Sequence, residues 1–176
     1  MQPVCPRGWL DKPRDNALIA WQRGALAAGL VFLIDRISKW WIVSGLDLPS
    51  RKPVEIFSFL DLSMVWNKGI SLGLFPAGDE FGRYILIGLT SVVSLAIGYW
   101  LYRAKSSFVA LALGLVLGGA VGNIWDRFQY GAVADFFHFH LGDWSFYVFN
   151  VADAAITLGV LLLIWEALLL PQKKPK

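Results

Sequence analysis

The sequence predicts an all-α membrane protein: four transmembrane helices, with a small β-structure and a flap on the extracytoplasmic side. Three observations lead there. The 176 residues are 56% hydrophobic and only 16% charged, with a net charge of +3, whereas soluble domains run nearer ~25% charged. The mean hydropathy is +0.54, too apolar for a chain that covers its own surface in water. Apolar stretches of about twenty residues, enough to cross ~30 Å of hydrocarbon, recur near 24–43, 84–102, 108–125 and 149–170. The Lys and Arg residues gather at the ends of these stretches. That accounts for a pI near 9.1 as membrane flanks and leaves no call for a nucleic-acid partner.

Residues 1–23 are polar and carry Arg7, Lys12, Arg14 and Arg23, and are expected to form a cytoplasmic leader. A cleaved signal peptide is not expected, because no small-residue cleavage site follows the first apolar segment. Residues 24–170 form the membrane domain and 171–176 a basic cytoplasmic tail with Lys173, Lys174 and Lys176. In segment one, Gly24 to Val43, Asp35 and Lys39 are four apart and share a helical face. They are read as a structural ion pair that packs this helix on its neighbours, with direct catalysis and substrate positioning as the alternatives. Trp40 and Trp41 then mark an interface. Val54 to Trp66 contains short β-prone runs. The run 67–75 (Asn-Lys-Gly-Ile-Ser-Leu-Gly-Leu-Phe) is amphipathic and loop-like, as a flap lying in the interface would be.

Segment two, Tyr84 to Tyr102, is free of charge and reads as a lipid-facing span. Segment three, Phe108 to Trp125, contains Gly114, Gly118, Gly119 and Gly122, and small residues at this spacing let helices approach closely, which makes it the central helix. It ends in Asn123-Ile124-Trp125-Asp126-Arg127, with Asp126 and Arg127 expected to anchor the helix end. Residues 128–148 form a second outer loop with a short strand near 136–140. There His138 and His140 share a face as a metal pair might, but no third ligand stands at a telling spacing. Segment four, Phe149 to Leu170, opens on Asn150 and Asp153, three residues apart. The leader, the 103–107 link and the tail hold nine of the sixteen Lys and Arg residues. Those three regions share a side, and that side is expected to be cytoplasmic.

Asp135 and Asp153 thus come to the outer end of the bundle, just inside the interface. An ionisable group at membrane depth costs roughly 2.5–3.5 kcal/mol for Asp, so two of them suggest chemistry. Two carboxylates sharing one proton can activate a water and polarise a carbonyl, as peptide hydrolysis requires. Like charges ~4 Å apart repel by ~4 kcal/mol at an effective dielectric of 20, so one stays protonated while the other ionises. No Ser-His or Cys-His arrangement shares a depth, and the one cysteine, Cys5, lies on the opposite side. No phosphate-binding G-x-x-x-x-G-K-[ST] loop is present. A small ion- or proton-coupled transporter is the alternative, since intramembrane acids also mark those, but four spans without an inverted repeat suit it poorly. A non-catalytic assembly factor is a third reading. The G-x-G-D motif of presenilin-like peptidases is absent, because Gly78-Asp79 and Gly142-Asp143 both lack the earlier glycine.

Five blocks carry a family resemblance: Asp35-Arg36-Ile37-Ser38-Lys39, Asn67-Lys68-Gly69, the run from Gly118 to Arg127, Val133-Ala134-Asp135-Phe136, and Phe149-Asn150-Val151-Ala152-Asp153. In this order and spacing the chain resembles the lipoprotein signal peptidases, the type II signal peptidases of bacteria, over roughly residues 24–170. The resemblance implies an inner-membrane aspartic endopeptidase, and a monomer without metal or cofactor is expected. Such an enzyme removes the signal peptide of a prolipoprotein immediately before a diacylglyceryl-modified cysteine. It implies Asp135 and Asp153 as the catalytic pair. It also implies that Asp35, Lys39, Asn67, Gly69, Gly119, Asn123, Arg127, Asn150 and Ala152 support the site or touch substrate, and Asp126, beside Arg127, is expected to support the site with them. The chain departs from the family at Leu72, where a Phe is usual; the aromatic shifts to Phe75.

Overall fold

The computed structural model describes residues 13–69, 80–142 and 144–169. Four long helices run through it: α1 (Pro13–Trp40), α2 (Glu80–Arg103), α3 (Ser107–Gln129) and α4 (Val151–Leu169). Between α1 and α2 lie a π-helical turn (Trp41–Gly45), a short 3-10 helix (Leu48–Ser50) and strands β1 (Val54–Phe57) and β2 (Leu60–Asn67). Strands β3 (Val133–Leu141) and β4 (Trp144–Ser145) lie between α3 and α4. The expected flap, with Leu72 and Phe75, falls mostly at 70–79, outside the described residues.

Three helices, α2, α3 and α4, are long and apolar enough to cross a membrane among the described residues. The longer α1 carries Arg23, Asp35, Arg36 and Lys39, so composition alone does not qualify it as the fourth expected span. It also begins at Pro13, earlier than the Gly24 start expected from hydropathy. Proline is tolerated in a first helical turn, and the polar residues that follow are no bar to a helix.

α3 is the hub, packing on all three other helices, and its glycines make that possible. A Cβ on Gly114 would lie 2.2 Å from the Gly24 carbonyl oxygen, and one on Gly118 2.5 Å from that of Ala28. The next glycine on this stripe, Gly122, has the Asp35 carboxylate where its Cβ would be. On an adjoining face, a Cβ on Gly119 would lie 2.5 Å from the Ala152 carbonyl oxygen of α4. Ser106 caps the start of α3, its hydroxyl accepting from the Val109 N–H at 3.4 Å.

The β-structure is a four-stranded antiparallel sheet ordered β1-β2-β3-β4. β3 is longer than expected and begins at Val133, so Asp135 sits on a strand, where a loop was expected. The reason is burial: Val133 through Phe136 are all buried, and Phe136 packs with Ile42, Leu48 and Leu62 under the sheet. Continuous burial hides the period-two alternation that marks a half-exposed strand. Phe149 then pins the chain to β3. Its carbonyl accepts from the Phe136 and Phe137 N–H groups at 3.1 and 2.8 Å, and its own N–H donates to the Phe137 carbonyl at 3.0 Å. This pairing brings the start of α4 beside β3.

Candidate active site

Asp135 and Asp153 are built from different elements and share a ring of asparagines. Asp135 points from β3 and is 2% exposed. Val65 of β2 pairs with it across the sheet, so Asn67, two residues on, shares its face. Asn67 donates from Nδ2 to Asp135 Oδ2 at 3.1 Å, and Asn150 donates from Nδ2 to Asp135 Oδ1 at 2.6 Å. Asp153 stands in the first turn of α4. Its backbone N–H donates to Asn150 Oδ1 at 3.0 Å, while the Asn150 N–H donates to Asp153 Oδ2 at 3.4 Å. This reciprocal pair has the geometry of a capping box, and it explains the three-residue spacing read from the sequence. Asn123 of α3 donates from Nδ2 to the remaining oxygen, Asp153 Oδ1, at 2.8 Å.

Burial and the neighbouring Asp153 carboxylate push Asp135 up from 3.8 to about 7, against the pull of the Asn67 and Asn150 donors and of Lys39. The folded chain therefore holds a proton that the unfolded chain has released between about pH 4 and 7. By linkage the fold loses stability as pH rises through that window, since the native state binds more protons there. Asp135→Asn removes that titration. The melting temperature of the variant, measured from pH 4 to 8 beside wild type, is expected to fall less steeply up to pH 7. An unchanged difference between the two across the window would contradict the raised value.

Behind the pair lies a buried cluster of two acids and two bases. Lys39 Nζ is 3.0 Å from Asp35 Oδ1 and 2.6 Å from Asp126 Oδ2. Arg36 reaches Asp35 Oδ2 at 3.0 Å and also pairs with Asp126 Oδ1. The i,i+4 pair expected from the sequence is present, but as one edge of a four-membered network that joins α1 to α3. Each acid then reaches onward. Asp35 Oδ1 accepts from the Ala152 N–H at 3.1 Å, next to Asp153. Asp126 Oδ2 accepts from the Ala134 N–H at 3.2 Å, next to Asp135. Lys39 also donates to Asn123 Oδ1 at 3.2 Å, which turns the amide nitrogen of Asn123 toward Asp153.

Arg127 joins α3 to Gly69, just past the end of β2. It donates to the Asn123 carbonyl at 3.2 Å and to the Gly69 carbonyl at 3.1 Å, while the Gly69 N–H donates to Asn67 Oδ1 at 3.1 Å. Gly119 is required by the close approach of α4. Gly119→Val would push the start of α4 off α3 and is expected to cost about 1–3 kcal/mol by overpacking. It would also displace Asp153, so turnover should fall together with the melting temperature. A variant with wild-type turnover would show that the close approach does not position Asp153.

Two cavities meet at Asp153. One, of about 250 Å³, is lined by Asn67, Gly69, Thr90, Asn123, Arg127 and Asp153 among others. The other, of about 310 Å³, is more apolar, with Phe146, Tyr147, Phe149, Leu158 and Leu161 around Asp153. Both linings are mainly apolar, and the one with Asn67, Asn123 and Arg127 is the more polar of the two. His138 and His140 lie elsewhere on the sheet. His140 Nε2 is 3.0 Å from Asp61 Oδ2, and His138 Nε2 is 2.7 Å from Ser145 Oγ. Among the described residues no group of three His, Cys, Asp or Glu side chains is arranged to hold a metal ion.

Residues 27–169 match the family model for signal peptidase (SPase) II, an A8 peptidase family. The chain belongs to the signal peptidase II family. It is 49% identical to a lipoprotein signal peptidase of Beijerinckia indica subsp. indica, over 82% of this chain and 86% of that one. It is 46% identical to one of Methylocella silvestris, over 82% and 85%, and 49% identical to one of Rhizorhabdus wittichii, over 84% and 86%. A solved bacterial membrane enzyme superposes with a TM-score of 0.71 at 26% identity, covering 87% of this chain and 94% of that one. Membership makes the chain a membrane protease. None of these relatives favours the transporter alternative.

Every site residue that the family blocks pointed to comes into this one region. Sequence reasoning missed Arg36, which completes the ion cluster, and Thr90, which lines the more polar cavity from α2. The spacing rule places i,i+1 neighbours on different parts of a helix surface, so Arg36 carried no signal toward Asp35. Thr90 is one of three small hydroxyl residues, with Ser91 and Ser94, in an otherwise apolar stretch, and nothing in the sequence set it apart from the other two.

Proposed function

We propose that this chain is a lipoprotein signal peptidase that cuts a prolipoprotein before its diacylglyceryl-modified cysteine, with Asp135 and Asp153 as the catalytic pair. The observation that carries this reading is that two cavities, one edged by Asn67, Asn123 and Arg127 and the other almost wholly apolar, are both lined by Asp153, beside a buried Asp135. Asp135, raised to about 7, is the partner that holds the proton and polarises the scissile carbonyl. Asp153 takes a proton from the shared water as its oxygen bonds to the carbonyl carbon. In the collapse, Asp153 returns that proton to the leaving amine, the C–N bond breaks, and Asp135 recovers its own. The carboxylate pair titrates as a unit, so the rate is expected to fall as pH rises through about 7, where the shared proton leaves.

In the topology we propose, α1 is the fourth span. Its Asp35, Arg36 and Lys39 face the protein interior, where their network with Asp126 offsets the burial. The leader, the 103–107 link and the basic tail then share the cytoplasmic side, and the pair faces the outer leaflet. A monomer suffices, because the four helices and the sheet of one chain supply every site residue named above. Acyl chains of the substrate contribute remote binding, ~0.8 kcal/mol per buried methylene at most, which positions the peptide carbonyl at the shared water. Asn67 and Asn150 serve both substrate backbone and Asp135. The test is the rate on a diacylglyceryl-modified prolipoprotein against its unmodified form, in detergent or nanodiscs. The modified form should be cut far faster; equal rates would favour a general membrane peptidase.

A further inference from the structure

The end of the bundle remote from the aspartates carries a groove that the peptidase chemistry does not use. It measures about 400 Å³ and lies between α1 and the start of α3. Leu26, Leu30, Phe108 and Leu111 form its walls, and all four are exposed apolar side chains. At its mouth Arg23 donates to Ser107 Oγ at 3.2 Å. Along α1, Arg23 stands about 18 Å of helical rise from Asp35. Ala20, Leu101, Ala104 and Ala110 pack together at this end, which brings the 103–107 link, with its exposed Arg103 and Lys105, beside the groove. Glu166, late in α4, is the one acid at this end among residues whose side chains are described. The balance of charge is positive, and the N-terminal end of α3 adds to it.

An apolar slot between two helices, headed by a guanidinium and flanked by further cations, has the chemistry of an anionic phospholipid site. We propose that this groove holds one anionic phospholipid of the leaflet opposite the active site, its phosphate on Arg23 and Ser107 and an acyl chain along Leu26, Leu30, Phe108 and Leu111. Leaflet assignment rests on the topology proposed above; occupancy of the groove does not. A zwitterionic lipid with the same chains would fill the slot equally well, but its choline cation would oppose Arg23, Arg103 and Lys105.

The test uses the full chain purified in a mild detergent, with dioleoylphosphatidylglycerol, dioleoylphosphatidylcholine or inorganic phosphate added. Lipid adducts are counted by native mass spectrometry and the melting temperature is followed in parallel. Phosphatidylglycerol should be retained in preference to phosphatidylcholine and should raise the melting temperature more. Arg23→Gln should weaken phosphatidylglycerol binding about fivefold, the scale of one cation at a membrane surface, and weaken phosphatidylcholine less, because its choline already opposes the cations there, so that the preference shrinks. Arg23→Lys should keep the preference, and Leu111→Trp, which fills the groove, should reduce both lipids. Equal retention of the two lipids, an undiminished preference in Arg23→Gln, or the same stabilisation by phosphate alone would each overturn the proposal. No readout passes through substrate cleavage, so failure of the peptidase reading would leave these outcomes intact.

Discussion

Asp135→Asn and Asp153→Asn are each expected to lower cleavage of a modified prolipoprotein by about 10³-fold or more, the scale at which general acid–base groups act. An amide can neither ionise nor share the proton. Removing either carboxylate leaves water without a base or the carbonyl without a donor. Both variants should still insert and fold. At position 153 the amide oxygen can continue to accept from the Asn150 N–H, preserving the reciprocal bond that starts α4. At position 135 the new amide meets the Asn67 and Asn150 donors, so one of those side chains must turn, at a cost of about 1–3 kcal/mol for an unmade hydrogen bond. Turnover per folded molecule is therefore the quantity to compare. If either variant retains more than a small fraction of that turnover, the two-aspartate mechanism is wrong.

The second large effect concerns folding. Asp126 pairs with Lys39 and Arg36 and is fully buried. Asp126→Ala leaves two cations facing Asp35 alone. Breaking a buried ion network by removing one partner costs about 3–5 kcal/mol, because an uncompensated charge remains inside. The yield of folded protein and its melting temperature should fall more than the turnover of the molecules that do fold. Removing one charge of each sign, as Asp126→Leu with Lys39→Met, should recover part of the lost stability. Asp126 does touch the backbone next to Asp135, so some loss of turnover is expected. Full stability combined with abolished turnover would instead make Asp126 part of the chemistry.

What the sequence revealed depended on how local the cause was. The apolar runs announced the helices, and the i,i+4 rule announced Asp35 with Lys39, because both need only neighbours on one helix. The glycines of segment three announced a central helix, although which glycine meets which partner needed the packed bundle. Asn150 and Asp153 were legible as a pair at one helix start. Their hydrogen bonds to Asp135 and Asn123 were not, since these depend on Phe149 docking against β3. Arg36 was invisible for the same reason: its second acid, Asp126, comes from another helix. The start of α1 and the length of β3 were misjudged because hydropathy reports burial, and burial does not stop where regular structure stops.

The most direct measurement is the mass of the mature product released by this chain alone from a diacylglyceryl-modified prolipoprotein. Wild type is expected to yield a product that begins at the lipid-bearing cysteine, and Asp135→Asn and Asp153→Asn are expected to leave the precursor intact. A product beginning elsewhere, or the same product from either variant at a comparable rate, would contradict cleavage before that cysteine by the two aspartates.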